Sequence, residues 1–191
     1  MTDQWNDSVA ALESSDTDRV NDAIEDIKSM GLEERLEFFR ECFDDLAGVY
    51  DDSDDGYVRQ SVLRVSKLLV PGLPATVALS DSTRNLERAR IHEQTDVLGG
   101  FFLEGLTDED GRVRRTAIRG LKDVCRTYDS LGDPTTIEAI LAELDELADE
   151  YDESRRKHLL EAAEEVEFFL QSDFERLVSG FEREFGESKS E

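Results

Sequence analysis

Lysine is scarce in this chain. Of its 22 basic residues only five are lysine and 17 are arginine, set against 47 aspartates and glutamates. Proline is nearly absent: Pro71, Pro74 and Pro134 all lie between segments of apolar periodicity rather than inside them. The long periodic stretches are therefore free to run as unbroken helix. Runs of β-branched residues alternating with polar ones are missing, which removes the signal of a half-buried strand. The two cysteines, Cys42 and Cys125, form no CxxC pair and are too few for a disulfide framework. Both fall within helical apolar patterns and are expected as buried free thiols in a reducing cytosol. No stretch approaches the roughly 20 apolar residues of a membrane helix, and the run Leu68–Val70 is broken at once by Pro71. The opening MTDQWNDS carries no basic region followed by an apolar stretch, so no secretory leader is expected and the expected location is cytoplasmic.

Recognisable catalytic chemistry is missing as well. There is no glycine-rich phosphate loop and no GxSxG elbow, so neither nucleotide phosphates nor a serine nucleophile have an evident seat. Only His92 and His158 supply imidazole, too few for a metal centre of the usual spacing. No metal, no cofactor and no catalytic residue is expected, and the chain is read as non-enzymatic. A pair of carboxylates could do acid–base work, but nothing in the pattern singles one out.

What the sequence does have is periodicity. Its 191 residues are 38% hydrophobic and include ten phenylalanines, enough for a sizeable core in one domain or one short repeat array. Apolar residues recur at helical spacing almost throughout. The pattern predicts a short helix through Trp5–Leu12, then one capped by Asp16 or Thr17 and ending near Gly31. Further helices follow at about 33–50, 57–70, 84–106, 112–128, 134–151 and 154–171, and a last one begins at Asp173. Leu36, Phe39, Phe43, Leu46 and Tyr50 share one face of the third helix, while Phe38, Cys42 and Val49 make a second, so that helix is expected to be contacted on two sides.

Self-comparison exposes a repeat. Asp55-Gly56-Tyr57-Val58-Arg59-Gln60-Ser61-Val62-Leu63-Arg64 matches Asp110-Gly111-Arg112-Val113-Arg114-Arg115-Thr116-Ala117-Ile118-Arg119 at an offset of 55 residues, and a weaker copy begins at Asp152, 42 residues after the second. Aspartate and arginine four residues apart recur as Asp55/Arg59, Asp110/Arg114 and Asp152/Arg156. An acidic loop, an aspartate, and Val-Arg opening the second helix of a pair resembles the HEAT-repeat family, whose period suits the 42-residue offset. The longer offset fits an insertion at residues 71–83.

The resemblance covers about residues 33–171. It implies an all-α fold, a short α-solenoid of antiparallel helix pairs. The pairs lie at about 33–70, 84–128 and 134–171, in a single domain over 1–185, with about eight helices, a capping helix at each end (173–185 at the C-terminus) and a disordered tail at 186–191. It implies little about function, because such arrays serve many roles. His92-Glu93 is similar to the His-Glu pairs of deoxyhypusine hydroxylase, a HEAT-repeat enzyme that binds two irons, but that family needs several such pairs and this chain has one. The recurring Asp/Arg ladder is read as structural: the aspartate caps the second helix and the arginine reaches its own or the next loop.

Charge supplies the functional clue. The net charge is −25, and many carboxylates with few lysines resemble proteins of extreme halophiles. A dense carboxylate surface stays hydrated and self-repelling, and molar salt, with a Debye length of about 3 Å, screens the strain. Yet residues 57–128 carry a net charge of +3, between flanks of −14 each. Arg112, Arg115, Arg119, Lys122 and Arg126 are spaced three, four, three, four, a stripe on the face opposite Val113, Ala117, Ile118, Leu121 and Val124. Arg64 and Lys67 hold equivalent positions one repeat earlier, and the third copy replaces them with Lys157, Glu161 and Glu164.

The expected partner is another protein, acidic at its docking segment, and the chain is a scaffold. The charge-balance alternative makes the stripe a solvated face that offsets acidic neighbours. An enzyme or enzyme subunit acting on a phosphorylated or nucleic-acid ligand through the same face is a further alternative, and so is a structural subunit docking through the stripe Phe174, Leu177, Val178, Phe181 and Phe185. The two acidic flanks disfavour nucleic acid. The sequence leaves the oligomeric state open.

Overall fold

The computed structural model describes residues 2–14, 16–71 and 84–171, and among them the secondary structure is entirely helical. In chain order the helices are α1 (Thr2–Glu13), α2 (Thr17–Ser29), α3 (Leu32–Asp52), α4 (Gly56–Leu69), α5 (Arg84–Leu106), α6 (Gly111–Leu131), α7 (Pro134–Glu150) and α8 (Glu153–Glu167), closed by a 3₁₀ turn at Phe168–Leu170. The proposed insertion beyond Pro71, the helix at 173–185 and the tail at 186–191 lie outside the described residues.

Local chemistry explains most boundaries. Asp16, Asp55, Asp110, Asp133 and Asp152 are the N-caps of α2, α4, α6, α7 and α8, each carboxylate accepting a hydrogen bond from a first-turn amide. Such a cap satisfies one of the orphan donors at a helix start. Pro134 occupies the first turn of α7, where its missing N–H costs nothing. Gly132 closes α6 in the left-handed conformation, at φ 68°, with its N–H donating to the carbonyls of Tyr128 and Asp129. A side chain would strain that backbone even though no atom lies near its would-be Cβ.

Two expectations need correction. Gly31 does not end α2: Met30 does, in extended conformation, while Gly31 opens α3 with its N–H donating to Glu34 Oε2 at 3.4 Å. The acidic loop is shorter than the 51–56 expected, because Asp51 and Asp52 belong to α3 and Gly56 starts α4, which leaves only Ser53, Asp54 and Asp55 between helices.

Helices consecutive along the chain pack as α1 on α2, α3 on α4, α5 on α6 and α7 on α8. The even-numbered helices also follow one another: α2 lies on α4, α4 on α6 and α6 on α8. One hydrophobic cluster runs from Trp5 to Phe169 through all of them. Trp5 fastens α1, with its ring edge-on to Phe38 at 5.0 Å and its indole N–H donating to Asp45 at 2.8 Å. Phe101 of α5 meets both Tyr50 and Phe43 of α3 edge-on, at 5.0 and 5.4 Å. Where α5 crosses α6, Gly120 lets the Phe102 ring lie against the backbone: a Cβ at that position would be 2.3 Å from the ring.

Candidate partner-docking face

Helix α6 separates cleanly into two sides. Val113, Ala117, Leu121, Val124 and Tyr128 are buried, while Arg112, Arg115, Arg119 and Arg126 are exposed. The separation follows from the 3.6-residue period, since positions three and four apart fall on one face.

Cross-helix bonds fix how this face continues onto its neighbours. Gln60 on α4 donates to Thr116 on α6 at 3.5 Å, and Lys67 pairs with Asp123 at 3.4 Å. On the other side, Arg114 donates to Ser154 at 3.1 Å, and Lys122 bonds Glu165. Both partners advance together along each pair of helices, so α4, α6 and α8 run in the same direction. The separations are 56 residues between α4 and α6, and 40 and 43 between α6 and α8. These match the internal repeat read from the sequence to within two residues.

The seven basic positions do not behave alike. Arg112 is held by Asp110 at 2.6 Å, and Arg126 bonds Asp123 one turn back. Lys67 and Lys122 are bridged to α6 and α8 as above, and Arg64 donates to Asn21 of α2 at 3.0 Å. Arg115 and Arg119 have neither an ion pair nor a hydrogen-bond partner among the described residues. Four of the seven are thus in ion pairs with the chain's own carboxylates, and Arg115 and Arg119 are the two adjacent guanidiniums without one among the described residues. On α8 the equivalent face carries Lys157, Glu161 and Glu164, all exposed.

Behind this face lies the Asp/Arg ladder. Arg59 donates to both oxygens of Asp108, from Nε at 2.7 Å and from Nη2 at 3.0 Å, and its Nη1 donates to the carbonyl of Ser53 at 2.7 Å. Tyr50 adds its hydroxyl to Asp108 at 2.8 Å, and the Asp110 amide donates to the same carboxylate at 2.7 Å. Burial alone would raise the Asp108 carboxyl, but the hydrogen bonds from Arg59, the Asp110 amide and Tyr50 outweigh it and hold its pKa below the ordinary carboxylate value.

Arg114, one repeat later, is 5% exposed and donates to the carbonyls of Asp108 and Glu109 at 2.6 and 2.9 Å. Its Nε also lies 3.2 Å from His158 Nδ1. Arg59 and Arg114 thus each grip a loop carbonyl six residues back. Arg156 does not follow: it is exposed, and among the described residues its guanidinium reaches Asp149, at 3.7 Å. In the second rung the Asp110 carboxylate is not bonded to the Arg114 guanidinium, which reaches loop carbonyls and Ser154. Asp110 instead holds Arg112, whose hydrogen bond lowers the Asp110 pKa to about 2.

Two features escaped the sequence reading. Asp108 is the hub of the ladder, although helical spacing places it merely between the segments 84–106 and 112–128. A second cluster centres on His92, whose Nδ1 lies 3.0 Å from Asp96 and whose Nε2 lies 2.9 Å from Asp133, the N-cap of α7. Tyr128 donates to Asp96, and Thr136 donates to Asp133 at 2.8 Å. The hydrogen bond to Asp133, helped by that to Asp96, raises the His92 pKa above its ordinary value. The His92–Asp96 spacing of four was readable on one helix; Asp133 is 41 residues away and was not.

Among the described residues no group of histidine, cysteine, aspartate and glutamate is arranged to hold a metal ion, and no helix is long and apolar enough to cross a membrane. Both cysteines are free and buried, and burial pushes the thiols up, to about 11 for Cys42 and about 12 for Cys125. No family model matches the chain, nor does any curated protein or solved structure.

Proposed function

We propose that this chain is a non-enzymatic interaction module of the HEAT-repeat kind, a short solenoid of antiparallel helix pairs that docks an acidic protein segment on the exposed side of α4 and α6. The observation that carries this reading is the pair Arg115 and Arg119. They stand one helical turn apart, exposed and unpartnered among the described residues, in a chain whose net charge is −25. Their neighbours on this face are drawn to the chain's own carboxylates, as Arg112, Lys122 and Arg126 are. Two that stay free present a bidentate donor pair to an incoming carboxylate. The neutralised neighbours frame the pair with a surface that repels neither sign strongly.

A fluorescent glutamate-rich helical peptide is a direct probe. Wild-type protein should bind it, Arg115→Glu/Arg119→Glu should lose about tenfold or more in affinity, and Arg90→Glu on α5 should bind as wild type does. Equal binding by all three proteins, or none by any, would refute the docking role.

A further inference from the structure

We infer that the acidic segment this face receives is the α8 surface of a second copy of the same chain, forming a reversible two-fold dimer. The inference rests on the docking role proposed above and names its partner. Helices α6 and α8 are neighbours running in the same direction, registered by Arg114–Ser154 and Lys122–Glu165. Their exposed faces are opposite in sign: Arg115 and Arg119 on α6, Glu161 and Glu164 on α8, all exposed. At the separation of 43 residues set by Lys122–Glu165, Arg119 stands level with position 162, beside Glu161. Glu161 and Glu164 form no hydrogen bond or ion pair among the described residues, so both signs are left over on adjacent helices of one surface.

Such a surface is complementary to itself. A two-fold axis parallel to the helices and passing between α6 and α8 places α6 of one protomer over α8 of the other, and does so twice. Because the helices share a direction, the operation keeps the register, and Arg119 of each protomer faces Glu161 of its mate. Lys157 falls at one end of the acidic row, which centres the match on Arg119 and Glu161 rather than on Arg115.

Two helix faces about 22 Å long and together about 20 Å wide cover roughly 450 Å² per protomer. That is below the usual 800 Å² per partner of a stable complex, so the association is weak and concentration-dependent. The net charge opposes it at low ionic strength. About 1 M salt removes that long-range term, while pairs in contact at a desolvated interface are screened less.

A reciprocal charge exchange tests this, read by analytical ultracentrifugation of the full chain in 1 M KCl, with helical circular dichroism confirming that every variant folds. Arg119→Glu sets acid against Glu161 in its own dimer, and Glu161→Arg/Glu164→Arg sets base against base. Each variant alone should self-associate about tenfold or more weakly than wild type. An equimolar mixture of the two has both contacts complementary again and should recover wild-type association as a heterodimer. The three substituted side chains are exposed, and Glu161→Gln/Glu164→Gln, which removes charge without reversing it, should fall between wild type and the reversed variants.

A wild type that stays monomeric throughout would overturn the dimer; if it still binds the glutamate-rich peptide, the docking role stands without it, and if it does not, both fall. Variants that dimerise as well as wild type, or a mixture that fails to recover association, would overturn the pairing of α6 with α8.

Discussion

Arg59 grips Asp108 with two parallel hydrogen bonds, joining the first turn of α4 to the loop ahead of α6 across 49 residues of chain. The Asp108 side chain is 4% exposed and that of Arg59 16%, so this ion pair is largely withdrawn from water, and breaking it from one side strands a charge.

Asp108→Ala should therefore destabilise the protein by about 3 kcal/mol, the scale for removing one member of a buried pair. Tyr50→Phe, which removes only the hydroxyl donor, should cost about 1 kcal/mol. Urea unfolding of the two single variants and the double variant reads the coupling directly. Additive losses would mean that Tyr50 and Asp108 do not act together.

Gly120→Ala is the sharpest packing test. The new methyl would lie 2.3 Å from the Phe102 ring, and the ring, which is fully buried, has nowhere to retreat. A loss of about 1–3 kcal/mol is expected, the range for an overfilled core. Adding Phe102→Leu should recover part of it. A thermal midpoint for Gly120→Ala equal to that of wild type would show that the α5–α6 contact is looser than these atoms imply.

Stability should depend on pH at both ends. Asp108 and Asp110 have folded pKa values below their ordinary ones, with Asp110 at about 2. Their contribution is complete above the unfolded value near 3.8 and is lost as pH falls through the folded values. His92 runs the other way. Both its ring nitrogens face carboxylates, so only the doubly protonated ring can donate to both, and its pKa is raised. Its contribution is complete below the ordinary value of 6.5 and fades as pH rises through the raised one. The ring is partly exposed, which limits the effect to about 1 kcal/mol. Thermal midpoints of wild type and His92→Gln should therefore differ at about pH 6 and converge by about pH 9. A constant difference across that range would assign His92 a packing role instead.

Salt should stabilise this protein. With a net charge of −25, self-repulsion weakens as the Debye length shrinks from about 10 Å at 0.1 M to about 3 Å at 1 M. Urea midpoints should climb with KCl over that range, because withdrawn pairs such as Arg59–Asp108 are screened less than surface repulsion. A flat or falling midpoint would count against salt adaptation as the reason for the acidic composition.

How far the chain could be read without coordinates followed the distance over which each signal acts. Asp55, Asp110 and Asp152 were identifiable as caps because a cap involves its own helix start and nothing else. The repeat was identifiable because its offsets of 55 and 42 are a property of the letters, and the bonds between even-numbered helices occur at nearly those separations. Asp108 was missed because its significance comes from Tyr50 and Arg59, which lie 58 and 49 residues away. Gly31 was misassigned for a related reason: glycine after a helix suggests a left-handed stop, but Glu34 downstream makes the same residue a workable start. Within the basic stripe, spacing found the face but could not sort it. Which cations are already satisfied depends on Asp110, Asp123, Glu165 and Asn21, and the last two lie on α8 and α2.

Arg59 and Arg114 behave like couplings in series. Arg59 holds its own loop at Ser53 and the next at Asp108; Arg114 holds its own at Asp108 and Glu109 and then Ser154 on α8. A force drawing α4 away from α8 passes through one guanidinium and then the other. Neither can yield without stripping loop carbonyls of their donors, so this stretch should give way under tension abruptly rather than by gradual extension.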